Sequence, residues 1–174
     1  MKPLNSKLLQ NFIKLALQSL HGEWVLLGGA LLPTLGIEHR NTTDIDFLGL
    51  SDESYNDRAL ALMKLCDKLE LPIETINQGA LFFLLKINNF RKDLIVLEKN
   101  KRCTLFRPNI TLFIKLKLDR FSESDYLDCL AMIKWSQKNN EKPNFRELRN
   151  LIKQKTKKAN PEKRERYEAL LMHI

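Results

Sequence analysis

The stretch that most restricts the fold of this chain is residues 24–48. There the apolar run Trp24-Val25-Leu26-Leu27 stops at Gly28-Gly29, and after Gly36 and a polar loop comes Asp44-Ile45-Asp46-Phe47-Leu48. An apolar run ending in paired glycines predicts a buried strand that turns into a helix, the glycines letting a ligand approach the backbone. Side chains alternate along a strand, so Asp44 and Asp46 are expected on one face and Ile45 and Phe47 on the other. Two carboxylates on one side of a buried strand repel and desolvate each other unless a cation compensates them. A hard divalent ion, Mg²⁺ or Mn²⁺, held by these two acids and by substrate phosphates meets that need.

Around this stretch the periodicity predicts a mixed α+β chain. Leu8, Leu9, Phe12, Ile13, Leu15, Ala16 and Leu20 form a helical apolar stripe ending at His21-Gly22. Strands are expected over 24–27 and 43–50, and a short helix containing Pro33 over 30–35. A helix capped by Ser51 or Asp52 is expected to run to Leu69. Further strands are expected over 73–76, 81–87, 94–97 and 104–106, broken by turns at Asn77-Gln78-Gly79 and Asn88-Asn89. Beyond Pro108 the spacing becomes helical over 110–118, 124–135, 145–155 and 162–171, with Ser122 or Ser124, Asn144 and Pro161 marking starts. The expected organisation is a mixed-sheet core flanked by helices over 1–108 and a helical region packed on it over 109–174.

Charge and cysteine usage narrow the class. The net charge is +8, and the tail from residue 141 onward supplies +5 of it. Such a tail offers a path for nucleic acid, although a solvated helix face is the commoner fate of such charge. Cys66, Cys103 and Cys129 are odd in number and lack Cys-x-x-Cys spacing, which fits free intracellular thiols. The first 20 residues read as an amphipathic helix rather than a leader, and no apolar run reaches the roughly 20 residues of a membrane span. A soluble, cytoplasmic protein is expected. His21, His39 and His173 are scattered, against a zinc site or a catalytic triad.

Strand, Gly28-Gly29, short helix and then Asp44-Ile45-Asp46-Phe47 on the next strand resemble the nucleotidyltransferase superfamily related to DNA polymerase beta. The lead-in Arg40-x-Thr42-x-Asp44 is similar to the branch containing the AbiEii-type toxins of abortive-infection systems. The resemblance covers about residues 5–130 in order of elements. It implies a nucleotidyltransferase-like fold and Mg²⁺-dependent transfer of a nucleoside monophosphate from an NTP such as ATP to an acceptor. RNA, including tRNA, or a protein side chain would be that acceptor, and an antitoxin protein would be a partner. It also implies that Gly28 and Gly29 take the triphosphate, with Arg40 and Thr42 beside it, and that Asp44 and Asp46 hold the metal.

A third carboxylate on a later strand is part of that resemblance. Asp93 is its positional candidate, as metal ligand or as base, with Glu98 as the fallback. Lys115-Leu116-Lys117-Leu118-Asp119-Arg120 followed by Asp125-Tyr126-Leu127-Asp128 is similar to a helical segment of the same branch. By that likeness Lys115 would contact the triphosphate, and Asp125 or Asp128 would complete the site. Ser124 stands where the branch carries a basic residue. The alternative expectation is a non-catalytic module that keeps the scaffold to bind nucleotide, RNA or a partner protein. A small-molecule nucleotidyltransferase is a third option.

Overall fold

The computed structural model describes residues 4–50 and 55–174, so the cap expected at Ser51 or Asp52 lies outside the described residues. The chain has an α+β fold and divides into two compact units, Met1–Pro108 and Asn109–Ile174. Among the described residues no helix is long and apolar enough to cross a membrane.

The first unit is built on a five-stranded mixed sheet. Its strands are β1 (Gly22–Leu27), β2 (Ile45–Gly49), β3 (Ile76–Asn77), β4 (Leu94–Lys99) and β5 (Cys103–Pro108), in the spatial order β3-β2-β1-β5-β4. The central strand β1 runs antiparallel to β2 and parallel to β5, while β2 and β3 are parallel and β4 and β5 antiparallel. Trp24, Val25, Leu26 and Leu27 are all buried, as a strand covered on both faces requires.

Among the described residues four α-helices belong to this unit: α1 (Ser6–Ser19), α2 (Leu31–Thr34), α3 (Tyr55–Leu69) and α4 (Ala80–Leu85). Asn5 caps α1 by accepting from the Leu8 N–H at 2.8 Å, and Leu9, Phe12 and Ala16 form its buried stripe. The Phe12 ring meets Phe47 edge-on at 5.0 Å, and Phe47 stacks on Trp24 at 5.2 Å. That aromatic layer fixes which way β2 faces. Ile45 and Phe47 go into the core below α1, and the pleat sends Asp46 to the opposite side.

Two expected strands take other forms. Residues 73–75 make a 3-10 turn that leads into β3, and 81–87 is largely occupied by the helix α4. A short apolar run has no period to separate strand from helix. In Leu81–Leu85 only Leu84 is buried, while Phe82, Phe83 and Leu85 face solvent, so the run never meets the two-sided burial of an inner strand.

The second unit contains four helices: α5 (Ile110–Lys117), α6 (Glu123–Lys138), α7 (Phe145–Thr156) and α8 (Pro161–Leu171). Each start is capped by a side chain, from Asn109, Ser122, Asn144 and Asn160 in turn, and Ser122 forms a reciprocal box with Asp125. Pro161 takes the first helical position of α8, where its missing N–H costs nothing. Phe121 stacks on Tyr167 at 4.6 Å, and the Tyr167 hydroxyl donates to the Leu118 carbonyl at 2.5 Å. These contacts tie α8 to the turn after α5.

Candidate functional site

Register sets the geometry. Leu27, the last residue of β1, lies opposite Asp46, so the bend at Gly28 begins beside that carboxylate. Gly28 has φ +66°, a left-handed conformation that glycine adopts without strain. A Cβ added there would sit 2.9 Å from Asp46 Cγ and would overlap Oδ2. The Asp46 carboxylate thus rests on the Gly28 backbone, in space that any other residue would fill.

Gly29 is approached in the same way by other side chains. A Cβ there would lie 2.6 Å from Arg40 Nη2 and 3.3 Å from Thr42 Oγ1. Thr42 is buried, and its carbonyl accepts from the Leu4 N–H at 2.8 Å, which anchors the loop before β2 to the segment preceding α1. Arg40 is exposed, and its Nη1 donates to the Asn41 carbonyl at 3.1 Å. Gly28, Gly29, Arg40, Thr42 and Asp46 are therefore brought together by one bend and one loop.

Asp44 stands just outside β2, on the loop side of buried Ile45, and is exposed. Its Oδ1 accepts from Thr43 Oγ1 at 3.2 Å, and its carbonyl accepts from Thr42 Oγ1 at 3.3 Å. The helix after the glycines, α2, is a single turn of four residues. Any dipole contribution there is limited to that turn.

Asn77 is the site residue that sequence reasoning missed. On β3 it lies opposite Asp46, and its Nδ2 donates to Asp46 Oδ1 at 2.8 Å. Its Oδ1 accepts from the Gly79 N–H at 2.8 Å, which fixes the amide so that the donor faces the acid. Asn77-Gln78-Gly79 read as a turn signal, and that signal was sound for Gln78-Gly79; only strand pairing shows that Asn77 belongs to the sheet.

Asp93 is not brought to the acid pair. It ends a 3-10 turn before β4, the edge strand, with β5 and β1 between it and β2. Three strand spacings of about 4.8 Å separate β4 from β2 by about 14 Å, beyond the reach of a shared metal ion. Glu98 lies farther along the same edge strand. Among the described residues no group of three or more His, Cys, Asp and Glu side chains converges.

Lys115, Asp125 and Asp128 belong to the helical unit and have partners within it. Lys115 Nζ pairs with Glu147 Oε1 at 2.5 Å. Asp125 and Asp128 are buried, and Lys117 Nζ bridges them at 3.0 Å and 2.6 Å. Arg120 grips Asp125 through Nε at 2.8 Å and Nη2 at 2.7 Å. Burial alone would push the Asp125 pKa up, but the Arg120 hydrogen bonds, the Lys117 charge and the Ser122 hydroxyl outweigh it and hold the carboxyl far below the usual carboxylate range. Lys117 was not singled out in the sequence, although it sits eight residues before one acid and eleven before the other.

The donor chemistry fits a hard divalent cation. Asp44 and Asp46 offer anionic oxygens, Asp46 is aimed by an amide donor, and the missing Cβ of Gly28 leaves the bend close to Asp46 Oδ2. Comparisons with protein-family models, with curated proteins and with solved structures return no match.

Proposed function

We propose that the bend at Gly28-Gly29 and the acids of β2 and its lead-in form a nucleotidyltransferase site that passes a nucleoside monophosphate from an NTP to an acceptor hydroxyl. The observation that carries this reading is the Asp46 carboxylate lying on the Gly28 backbone, with Arg40 and Thr42 on Gly29. An anionic ligand oxygen at this bend would lie between a carboxylate-bound cation and a guanidinium, and Arg40 is suited to two-point phosphate contact.

Asp44 and Asp46 would hold Mg²⁺ or Mn²⁺. Bound there, the ion supplies charge neutralisation on the phosphates and alignment of the reacting oxygens. Asn77 keeps Asp46 oriented, and Thr42 keeps the loop carrying Arg40 closed over Gly29. In the transfer, the acceptor oxygen bonds to the α-phosphorus, the bond from that phosphorus to the bridging oxygen breaks, and pyrophosphate leaves with the electron pair. The hydroxyl proton passes to solvent or to a leaving phosphate oxygen. RNA, including tRNA, or a protein is the acceptor class under this reading, and a toxin-like role countered by an antitoxin protein belongs to it.

A second reading, a non-catalytic module binding nucleotide, RNA or a partner protein, is favoured by one observation. The residue opposite Asp46 on β3 is an amide, Asn77, and Asp93 lies three strands away, so among the described residues neither position adds a third acid to the pair. Purified protein incubated with Mg²⁺ and a panel of labelled NTPs separates the two. Under the first reading label passes to RNA or protein, and Asp44→Asn with Asp46→Asn removes it. Labelling that survives the double change places the chemistry elsewhere, and nucleotide binding without labelling under any NTP selects the module.

A further inference from the structure

The helix α4 starts three residues beyond Asn77 and carries Phe82, Phe83 and Leu85 into solvent at 62, 47 and 62 per cent exposure. Its start is bracketed to the candidate site, because the Asn77 amide bonds Asp46 on one side and the Gly79 N–H on the other. The two phenylalanine rings stand nearly perpendicular, with centroids 5.5 Å apart. Lys86 Nζ lies 3.9 Å from the Phe82 centroid and 5.6 Å from that of Phe83. Two exposed aromatic faces and one ammonium thus share a single helical turn.

We propose that this face of α4 binds a single-stranded nucleic acid, stacking bases on Phe82 and Phe83 and taking a backbone phosphate on the Lys86 ammonium. The chemistry of the patch selects this occupant. Covering the rings with an apolar protein surface would bury Lys86 without a counter-charge, at a desolvation cost. A nucleotide brings both complements at once: a base replaces the ammonium on the ring face, and the adjoining phosphate receives the displaced charge. A duplex offers no exposed base faces to such rings. The exposed Lys86 ammonium beside the rings supplies the local attraction for a polyanion. Only in making this strand the acceptor does the proposal rest on the transferase reading, since the patch is tied through Asn77 to the acid that would hold the metal.

Binding is measured without NTP or metal, by fluorescence anisotropy of a labelled oligouridylate of about twelve nucleotides, a length within the site sizes of stacking platforms. The wild-type chain should bind it although neither NTP nor metal is present, which separates this test from the fate of the transfer reaction. The Phe82→Leu, Phe83→Leu double variant keeps apolar bulk without aromatic faces and should weaken binding about tenfold or more per ring. Phe82→Tyr with Phe83→Tyr should retain binding, and Lys86→Ala should lower the salt slope by about 0.7. No binding by the wild-type chain, undiminished binding by the leucine pair, or equally tight capture of a duplex would overturn the proposal.

Discussion

Asn77 and Asp46 face each other across the β2–β3 pair, and the amide nitrogen donates to the carboxylate at 2.8 Å. Because the other end of the amide is committed to Gly79, the acid meets a donor and never an acceptor from this neighbour. Asn77→Ala should cost about 1 kcal/mol in stability through these lost hydrogen bonds and reduce the proposed NMP transfer. Asn77→Asp sets a second carboxylate against Asp46, so the protein without metal should melt lower and Mn²⁺ should raise its melting temperature more than it does in the wild type. Equal Mn²⁺ shifts in a thermal melt would show that the position does not face the ligand.

The glycines provide an internal control. Gly36 has φ +77° and nothing within 4 Å of the place a Cβ would take, whereas Gly28 has φ +66° and meets Asp46. Gly36→Ala should cost about 1–2 kcal/mol from the left-handed backbone alone and leave NTP labelling intact. Gly28→Ala should cost at least as much and also abolish labelling, because Asp46 must move. Urea melts paired with the labelling assay read both quantities.

Lys117 holds the helical unit's two buried acids. Lys117→Met leaves Asp125 and Asp128 buried with that charge gone, and should destabilise the protein by about 3–5 kcal/mol in chemical denaturation. The acid limb has a definite sign. The folded pKa of Asp125 is depressed below its unfolded value of about 3.9, so the unfolded chain binds more protons as pH falls. Stability from this group is fully present above that value and drains away below about pH 4, towards the folded pKa. Asp125→Asn should flatten that acid slope in urea melts followed by circular dichroism from pH 7 to pH 3.

The thiols should be silent in the native state. Cys66, Cys103 and Cys129 are free and buried, and burial pushes each thiol up, Cys103 to about 11. A chromogenic disulfide reagent at pH 8 should therefore react with all three only after urea unfolding. Rapid modification of any one under native conditions would show that its cover opens.

Much of the architecture follows from period and punctuation. The apolar run into Gly28-Gly29, the alternation around Asp46, the caps at Ser122 and Asn144 and the helix-starting Pro161 are local signals, and the observed elements start close to them. The Leu81–Leu85 run, expected as a strand, is helical, because an aperiodic apolar run does not separate the two and only Leu84 among its residues is buried. Strand order is a property of the assembled sheet. Nothing local to Asp93 marks β4 as an edge strand three places from β2, and nothing local to Asn77 marks it as the neighbour of Asp46. The same holds for Lys117, whose two acids lie on a different helix.

The ends of the sheet carry a consequence for self-association. One border is β3, only two residues long, and the other is β4, whose ladder is interrupted between Val96 and Glu98 and which ends in a lysine. Among the described residues neither border offers a long, flat row of unpaired amides, so extension of the sheet by a second molecule is disfavoured. Edge-to-edge pairing of two native molecules through this sheet is thereby disfavoured at both described borders.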